Sequence, residues 1–239
     1  MNSKPRIWAI IPASGTGQRM RSDRPKQYLC FGGKTILEHT LDRLLACQQI
    51  YGVILVLNKD DRFWHDLNYV SEKPLVVTEG GAERQDSVIN GLEKALQLDK
   101  DSSLAMVHDA VRPLVSTQDI SSLIRAFNQE NQGAVLASPL SDTLKRDNNE
   151  GCIAETVDRE GLWRALTPQL FDSCLLLKAL KQAKAGQQQM TDDSAAMEAM
   201  GYHPKLVEGS SENIKITRPG DLGLAEKIWL NQTDQQDNK

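Results

Sequence analysis

The sequence predicts an α/β protein with a mostly parallel central sheet flanked by helices, in a Rossmann-like arrangement with a protruding β-arm. Three observations predict this fold class. Short apolar runs alternate with segments of helical periodicity along most of the chain. A glycine-containing turn follows the first apolar run, where such sheets bind phosphates. Two segments with strand character interrupt the alternation after residue 139.

The apolar runs have the length of buried strands in a parallel sheet. They occupy residues 7–11, 53–57, 75–78, 104–107 and 134–137. Segments with apolar residues at helical spacing lie between and after these runs. The predicted helices cover residues 36–45, 88–96, 120–127, 176–183, 191–200 and 219–230. Residues 214–216 are a last strand candidate, and the polar tail after the final helix is expected to fray.

The interruption lies between residues 139 and 165. Residues 143–146 and 153–157 have the pattern of strands, and the polar turn 147–151 joins them. We therefore expect a single domain over residues 1–239 with 139–165 inserted as a β-arm. Because such an arm has few local partners, packing on another subunit is favoured over a solvated hairpin.

Composition excludes several classes of protein. The 239 residues include 28 Lys and Arg against 32 Asp and Glu, a net charge of −4, which argues against nucleic-acid binding. No apolar run approaches the roughly 20 residues of a membrane span, so no membrane partner is expected. The four cysteines and four histidines are too scattered for a zinc site, and the free thiols suggest a reducing, cytoplasmic location.

The turn after the first strand is a candidate phosphate site. Its glycines, Gly15 and Gly17, would let backbone N–H groups point at an anion. The dinucleotide fingerprint needs a third glycine where Met20 stands, so a dehydrogenase is disfavoured. Taken alone, the turn is equally consistent with a tight strand-to-helix connection.

Four cations follow that turn within eight residues: Arg19, Arg21, Arg24 and Lys26. Arginine can chelate phosphate with two N–H groups, and lysine supplies a compact charge. A substrate with several phosphates, such as a nucleoside triphosphate, would suit them. A solvated basic stretch is a reasonable alternative for Arg21 and Arg24 but a poor one for the other two, which flank the turn.

Two further turns follow predicted strands. The segment 80–87 opens a helix and could contact the base or ribose of a nucleotide, although plain helix entry explains it equally well. Asp109, at the end of the fourth strand, is placed as a Mg²⁺ ligand would be, and Arg112 could bind a second phosphate. His108 is a possible general base, but a lone histidine there is more often structural.

Six segments together resemble the 2-C-methyl-D-erythritol 4-phosphate cytidylyltransferases of the non-mevalonate isoprenoid pathway. The resemblance runs from about residue 7 to residue 229, and one departure is Ser14, where that family usually has alanine. The segments, in family order, are PASGTGQRM…PKQYL (12–29), GGAERQDSV (80–88), VHDAVRP (107–113), TVDREGLWRALTPQ (156–169), TDDSAAME (191–198) and ENIKITRPGDL (212–222).

The resemblance implies a nucleotidyltransferase fold, a homodimer formed through the arm, and Mg²⁺ as cofactor. It implies transfer of a cytidylyl group from CTP to methylerythritol phosphate, with release of pyrophosphate. The catalytic residues it implies are Arg19, Lys26, Arg159 and Lys215. The nucleotide-binding residues are Pro12, Ala13, Ser14, Gly15, Gly17, Gly81, Arg84 and Ser87. The residues of the second substrate are Asp109, Arg112, Thr143, Arg159, Thr167, Thr191 and Lys215.

Within that set, Asp109 would also hold the metal, while Thr143 and Arg159 would reach the partner subunit's site from the arm. Two competing interpretations remain. A sibling enzyme acting on another polyol phosphate, such as ribitol 5-phosphate, would share the CTP half of the site. A catalytically dead nucleotide-binding regulator would tolerate loss of Arg19, Lys26 and Asp109, and their joint presence speaks against it.

Overall fold

The computed structural model describes residues 5–15, 24–99, 103–130 and 132–237. A short 3-10 helix spans Lys26–Tyr28. The strands of the described residues are β1 Arg6–Pro12, β2 Cys30–Phe31, β3 Lys34–Thr35, β4 Ile50–Leu57, β5 Leu75–Glu79, β6 Ser103–Val107, β7 Ala134–Pro139, β8 Leu144–Asp147, β9 Ile153–Val157, β10 Trp163–Asp172 and β11 Lys205–Glu208. The helices there are α1 Ile36–Ala46, α2 Phe63–Asp66, α3 Arg84–Leu98, α4 Thr117–Glu130, α5 Ser173–Ala185, α6 Asp193–Ala199 and α7 Pro219–Asp237.

Seven of these strands form the central sheet, in the order β11-β7-β10-β6-β1-β4-β5. Strand β10 is antiparallel to both of its neighbours, and the other pairings are parallel. The carboxyl ends of β1, β4, β5 and β6 therefore meet at one edge of the sheet, where open α/β sheets bind their ligands. The predicted fold class is confirmed.

The alternating side chains of β1 divide the core between the two faces of the sheet. Ile7, Ala9 and Ile11 belong to a cluster that includes the buried faces of α1 and α4. Trp8 and Ile10 belong to a second cluster, with side chains of α3, α5 and α6. Each face of the sheet is thus covered by helices, which explains why its strands are almost continuously apolar.

The C-terminal helix α7 packs on a third cluster near the same edge. Trp229 lies edge-on to Phe31 of the β2–β3 hairpin. Gly32 in that hairpin has φ +54, and a Cβ there would come within 2.7 Å of the Trp229 ring, so only glycine fits. Ile216 belongs to the same cluster and donates its backbone N–H to the carbonyl of Val111. The contacts hold the segment around Lys215 against the turn after β6.

Several details differ from the sequence expectation. Residues 214–216 do not form a strand, because the N–H of Ile216 donates to the carbonyl of Val111 in a turn and not to a neighbouring strand. The strand in this part of the chain is β11, at the edge of the sheet. Strand β10 was not predicted, because its first three residues are exposed while most of the others are buried, and Pro168 interrupts its pattern. Helix α6 begins at Asp193, whose N-cap is Asp192, and α7 continues to Asp237, past the predicted end.

The predicted hairpin is present between residues 139 and 165. Strands β8 and β9 pair antiparallel in a two-stranded sheet of their own. Their residues are almost all exposed, and cross-strand contacts join Lys145 to Thr156 and Arg146 to Glu155. The hairpin therefore extends from the central sheet as an arm.

Two expectations concern the surroundings of the protein. No helix among the described residues is long and apolar enough to span a membrane. The cysteines Cys30, Cys47, Cys152 and Cys174 are all free thiols. The cytoplasmic location itself stays a prediction.

Candidate active site

A cavity of about 450 Å³ opens at the carboxyl edge of the central sheet. Its walls come from the turns after β1, β5 and β6, from the 3-10 helix and from the segment before α7. The described residues that line it are Pro12, Ala13, Ser14, Gly15, Lys26, Gln27, Ala82, Glu83, Arg84, Asp109, Ala110, Val111, Lys215 and Thr217. Parallel strands bring these distant segments together because their carboxyl ends share one edge.

The turn after β1 is held from several sides. Ala13 donates its N–H to the carbonyl of Val56 on β4, and its own carbonyl accepts from the buried amide of Gln27 at 2.8 Å. Among the described residues, no atom lies within 4 Å of a Cβ built on Gly15, which leaves room for a ligand beside its backbone in the cavity. Gln27 has no assigned role in the sequence prediction, yet it places the turn relative to Lys26.

Ser14 joins this turn to the start of α3. Its Oγ lies 2.7 Å from the Oγ of Ser87, which also accepts the N–H of Gly81 at 3.2 Å. A Cβ on Gly80 would come within 2.6 Å of the Ser14 side chain. The two glycine turns are therefore in direct contact, and Ser87 and Gly81 support the cavity wall.

Asp109 lies at the centre of a group of cations. Its carboxylate is 2.9 Å from Nζ of Lys215, 3.3 Å from Nε of Arg112 and 3.5 Å from Nε of Arg84. Burial alone would raise the pKa of Asp109, but the charges of Arg84, Lys215 and Arg112 outweigh it and hold the pKa well below its usual range. Asp109 is therefore an anion at any physiological pH.

The guanidinium of Arg84 is fixed by a second carboxylate. Its two terminal nitrogens donate to the oxygens of Asp193 at 3.2 and 2.8 Å, and Asp193 is buried at the start of α6. This two-point pairing sets the plane of the guanidinium. Asp193 belongs to the candidate segment 191–198 but was not assigned a role in the site, since the sequence does not show that it faces Arg84.

The turn after β6 contains a buried polar group behind the cavity wall. His108 is fully buried; its Nε2 is 3.0 Å from the carbonyl of Arg112 and its Nδ1 is 3.0 Å from Oγ1 of Thr167. Burial lowers the pKa of His108 to about 4, so the ring is neutral. Because the ring is fully buried and both of its nitrogens already have hydrogen-bond partners, these contacts support the structural interpretation of His108 and not a general base.

A model of the 2-C-methyl-D-erythritol 4-phosphate cytidylyltransferase family matches residues 7–231 of the chain. The chain belongs to this family. It is 47% identical over 220 residues to a protein of that name from Aliivibrio fischeri, covering 92% of each chain. It is 48% identical over 232 residues to one from Alteromonas mediterranea, covering 96% of this chain and 95% of the relative.

The fold agrees with this relationship. A solved structure of 4-diphosphocytidyl-2C-methyl-D-erythritol synthase superposes with a TM-score of 0.83 at 33% identity, over 95% of this chain and 100% of that one. Membership of the cytidylyltransferase family confirms the predicted resemblance, the fold class and the enzyme class, a CTP-dependent nucleotidyltransferase.

The cavity brings together part of the site that the cytidylyltransferase resemblance implies. The predicted residues found on its walls are Pro12, Ala13, Ser14, Gly15, Lys26, Arg84, Asp109 and Lys215. Gly17 and Arg19 lie outside the described residues. The roles of all these residues remain predictions.

The other predicted cytidylyltransferase residues lie elsewhere. Arg112 and Thr167 are buried behind Asp109 and are not among the described residues that line the cavity. Thr191 is exposed just before α6, and Thr143 and Arg159 are exposed on the arm. Arg159 donates to the carbonyl of Ser141 within the arm. Within one chain, the described structure therefore gives the arm residues no place on this cavity.

Proposed function

We infer that the chain uses this cavity to transfer the cytidylyl group of CTP to 2-C-methyl-D-erythritol 4-phosphate. The products are pyrophosphate and 4-diphosphocytidyl-2-C-methyl-D-erythritol, a precursor of isoprenoids. One observation carries the assignment of the reaction to this place: Lys26, Arg84 and Lys215 line one cavity together with the glycine turn after β1, and two of these cations also pair with the carboxylate of Asp109. The alternative acceptor, ribitol 5-phosphate, is not favoured by the family.

The reaction is a displacement at the α-phosphorus of CTP. A phosphate oxygen of methylerythritol phosphate forms a bond to that phosphorus, and the bond to the oxygen bridging the α- and β-phosphates breaks. Pyrophosphate leaves with the electron pair. Because the second pKa of a phosphate monoester is about 6, the attacking group is already anionic near neutral pH, and no general base is required. The buried neutral His108 is consistent with that chemistry.

The obstacle is repulsion between two anions, and positive charge placed in advance overcomes it. Lys26 lies in the cavity beside the glycine turn, where it would stabilise charge on the transferring phosphate. Lys215 also lines the cavity, 2.9 Å from the carboxylate of Asp109, and would help hold the incoming phosphate. Arg19, which follows the turn in sequence, is proposed to act with Lys26.

The cavity suits a Mg²⁺ ion held jointly by protein and substrate. Mg²⁺ is commonly bound by one or two carboxylates together with substrate phosphates and water. The described residues contain no group of three metal-ligating side chains, but Asp109 presents one carboxylate, ionised near neutral pH, to the cavity. We propose that Asp109 and the phosphates of CTP would hold the ion, which would neutralise charge on the triphosphate.

We further propose that the arm completes the site across a homodimer. Thr143 and Arg159 are exposed on an arm whose strands pair with each other, and the arm and the strand after it expose apolar side chains. Ile153 is 67% exposed, and Leu162 and Trp163 are also exposed. Exposed apolar residues beside functional cations fit a surface that a second copy covers. In that dimer, Arg159 of one chain would bind the acceptor phosphate in the site of the other.

The test is an assay of pyrophosphate release by the purified chain with CTP, Mg²⁺ and methylerythritol phosphate. Parallel reactions replace the acceptor by ribitol 5-phosphate, or CTP by UTP or ATP. We expect rapid release with CTP and methylerythritol phosphate, and mass spectrometry should identify the diphosphocytidyl product. Turnover faster with ribitol 5-phosphate would show that the acceptor is wrong, while absence of turnover with every pair would refute the enzyme assignment.

A further inference from the structure

The turn 108–112, which carries both Asp109 and Arg112, is fastened from behind by residues outside the cavity. Its own closing bond runs from the N–H of Arg112 to the carbonyl of Asp109 at 3.1 Å. Thr40 donates its hydroxyl to the carbonyl of Ala110 at 3.0 Å. Two more buried side chains, His108 and Thr167, bind the two ends of the turn.

The hydrogens in this group can be assigned from the partners. The carbonyl of Arg112 can only accept, so Nε2 of His108 carries the proton and donates to it at 3.0 Å. In the neutral ring Nδ1 is then an acceptor, and it takes the hydroxyl proton of Thr167 at 3.0 Å. The hydroxyl oxygen of Thr167 in turn accepts the N–H of Asp109 at 3.1 Å. Each group has a single consistent role.

The result is a continuous chain of hydrogen bonds that clamps the turn at both ends. It begins at the backbone of Asp109, passes through Thr167 and His108, and ends at the carbonyl of Arg112. Asn213 extends the clamp, since its amide donates to the carbonyl of Thr167 at 2.7 Å and its own carbonyl accepts from the Arg112 guanidinium at 2.8 Å. Asn213 lies two residues before Lys215 in the chain.

We propose, on the basis of the cytidylyl transfer inferred above, that His108 and Thr167 are positioning residues for that reaction. Through their mutual hydrogen bond they set the distance and orientation between Asp109 and Arg112. Thr167 thus acts through the backbone of Asp109, and its hydroxyl is not a direct ligand of the second substrate.

The burial of Thr167 supports this role over direct contact. The residue is 5% exposed and its hydroxyl already donates one hydrogen bond and accepts another. It comes from β10, the antiparallel strand that pairs with β6, so its position opposite Asp109 is set by the register Gln169↔Val107. A displacement of a reacting group by about 1 Å can cost on the order of 100-fold in rate. A clamp of this kind is therefore able to affect turnover without touching substrate.

The experiment compares two substitutions at one position. Thr167→Val keeps the shape but removes the hydroxyl, and Thr167→Ser keeps the hydroxyl. With both substrates saturating, we expect the valine variant to lose about 10-fold to 100-fold in kcat with little change in either KM. The serine variant should recover most of that loss. Thermal melting of each variant shows how much folded protein the assay contains.

Ser103→Ala is the matched control. Ser103 lies at the opposite end of β6, and its buried hydroxyl donates to Ser173 at 3.0 Å. Its loss should lower the melting temperature about as much as the loss of the Thr167 hydroxyl, but should leave kcat unchanged. A fall in kcat that merely follows stability would appear in both variants and would overturn the proposal.

His108→Gln provides a second test if the valine variant does not fold. It keeps a donor able to reach the Arg112 carbonyl but removes the ring that Thr167 binds. We expect a similar loss of kcat, and combining it with Thr167→Ala should cost far less than the product of the two single losses, since both break one chain of hydrogen bonds. Full multiplicativity would overturn the proposal, as would a rise in the KM of methylerythritol phosphate alone with kcat preserved.

The activity of the wild-type chain distinguishes failure of the positioning role from failure of the proposed cytidylyl transfer. If the wild-type chain releases pyrophosphate from CTP and methylerythritol phosphate while Thr167→Val matches it, the positioning role alone is wrong. If the wild-type chain does not catalyse the reaction, the proposed function fails first.

Discussion

The cavity and the arm are built in opposite ways. The cavity assembles residues from Pro12 to Thr217, and its central carboxylate, Asp109, is buried among three cations. The arm is a local hairpin whose two strands pair with each other and whose charged side chains are exposed. The cavity is thus organised by the tertiary structure of one chain. The arm is held by pairing between its own two strands, and none of its described residues lines that cavity.

The predicted functional cations therefore fall into two groups, those that line the cavity and those that lie on the arm. Lys26, Arg84 and Lys215 are placed at the cavity by the fold of their own chain. Arg159 is exposed on the arm, and under the proposed function it would reach a site only in a second copy of the chain. Substitutions in the two regions should therefore differ in whether another chain can compensate for them.

The largest effect is expected for Lys26→Ala. Removal of one charge that stabilises the transferring phosphate should lower kcat by about 10²–10³-fold, with a much smaller change in the affinity for CTP. Steady-state kinetics and calorimetric CTP binding measure the two effects. Lys34→Ala is the control, because Lys34 is an exposed lysine paired with Asp42 and far less should change. Unchanged turnover in Lys26→Ala would contradict the assignment.

Mixing inactive chains tests whether the arm acts across the dimer. Lys26→Ala and Arg159→Ala chains, allowed to exchange, should form mixed dimers that have one intact site, because each chain supplies what the other lacks. About a quarter of the wild-type activity should return when exchange is random in a symmetric dimer. Activity is measured before and after exchange, which mass spectrometry of the intact dimers follows.

A second mixture makes the comparison sharper. Lys26→Ala and Lys215→Ala remove two residues that line the same cavity in one chain. Every site in their mixed dimers still lacks one lysine, so no activity should return. Recovery in this mixture, or none in the first despite exchange, would show that the sites are not divided as proposed.

Charge pairs in the two regions should differ in their contribution to stability. Asp193→Asn breaks the pairing of a buried carboxylate with Arg84 and should lower the free energy of unfolding by about 2 kcal/mol, less than the ~3–5 kcal/mol of a fully buried pair. Arg84 is 34% exposed, which explains the smaller value. Glu155→Gln breaks the exposed pair with Arg146 and should cost under about 1 kcal/mol. Denaturant unfolding measures both free energies. Equal losses for the two variants would contradict the expected difference between the buried and the exposed charge pair.

The smallest effect is expected for Ser14→Ala. The variant loses a hydrogen bond to Ser87 of about 1 kcal/mol, which would raise the KM of CTP about 5-fold at most. The value of kcat should stay close to that of the wild type, because the catalytic lysines are not touched. Ser121→Ala, at an exposed hydroxyl on α4, is the control. A large fall in kcat would contradict this expectation and would show that Ser14 takes part in the chemical step.

Local patterns predicted much of the fold. Strands β1, β4 and β6 are apolar runs and helix α4 has a regular apolar stripe, so composition and spacing suffice to recognise them. Strand β10 could not be recognised, because it is exposed at one end and buried along most of the rest, and therefore shows no regular alternation of apolar and polar residues. The segment 214–216 was wrongly predicted to be a strand, because its apolar residues are buried against α7 and not within the sheet.

The sequence by itself determined the family, the class of fold and the choice of cations, because motif order and apolar periodicity are properties of neighbouring residues. The tertiary structure decided which of those residues meet. It placed Lys215, Arg84 and Arg112 around Asp109, paired Arg84 with Asp193, and turned Thr167 into the clamp behind the site. These contacts depend on the strand order and on the antiparallel register of β10. Neither is contained in a local pattern, since both follow from the burial of the whole sheet between its two layers of helices.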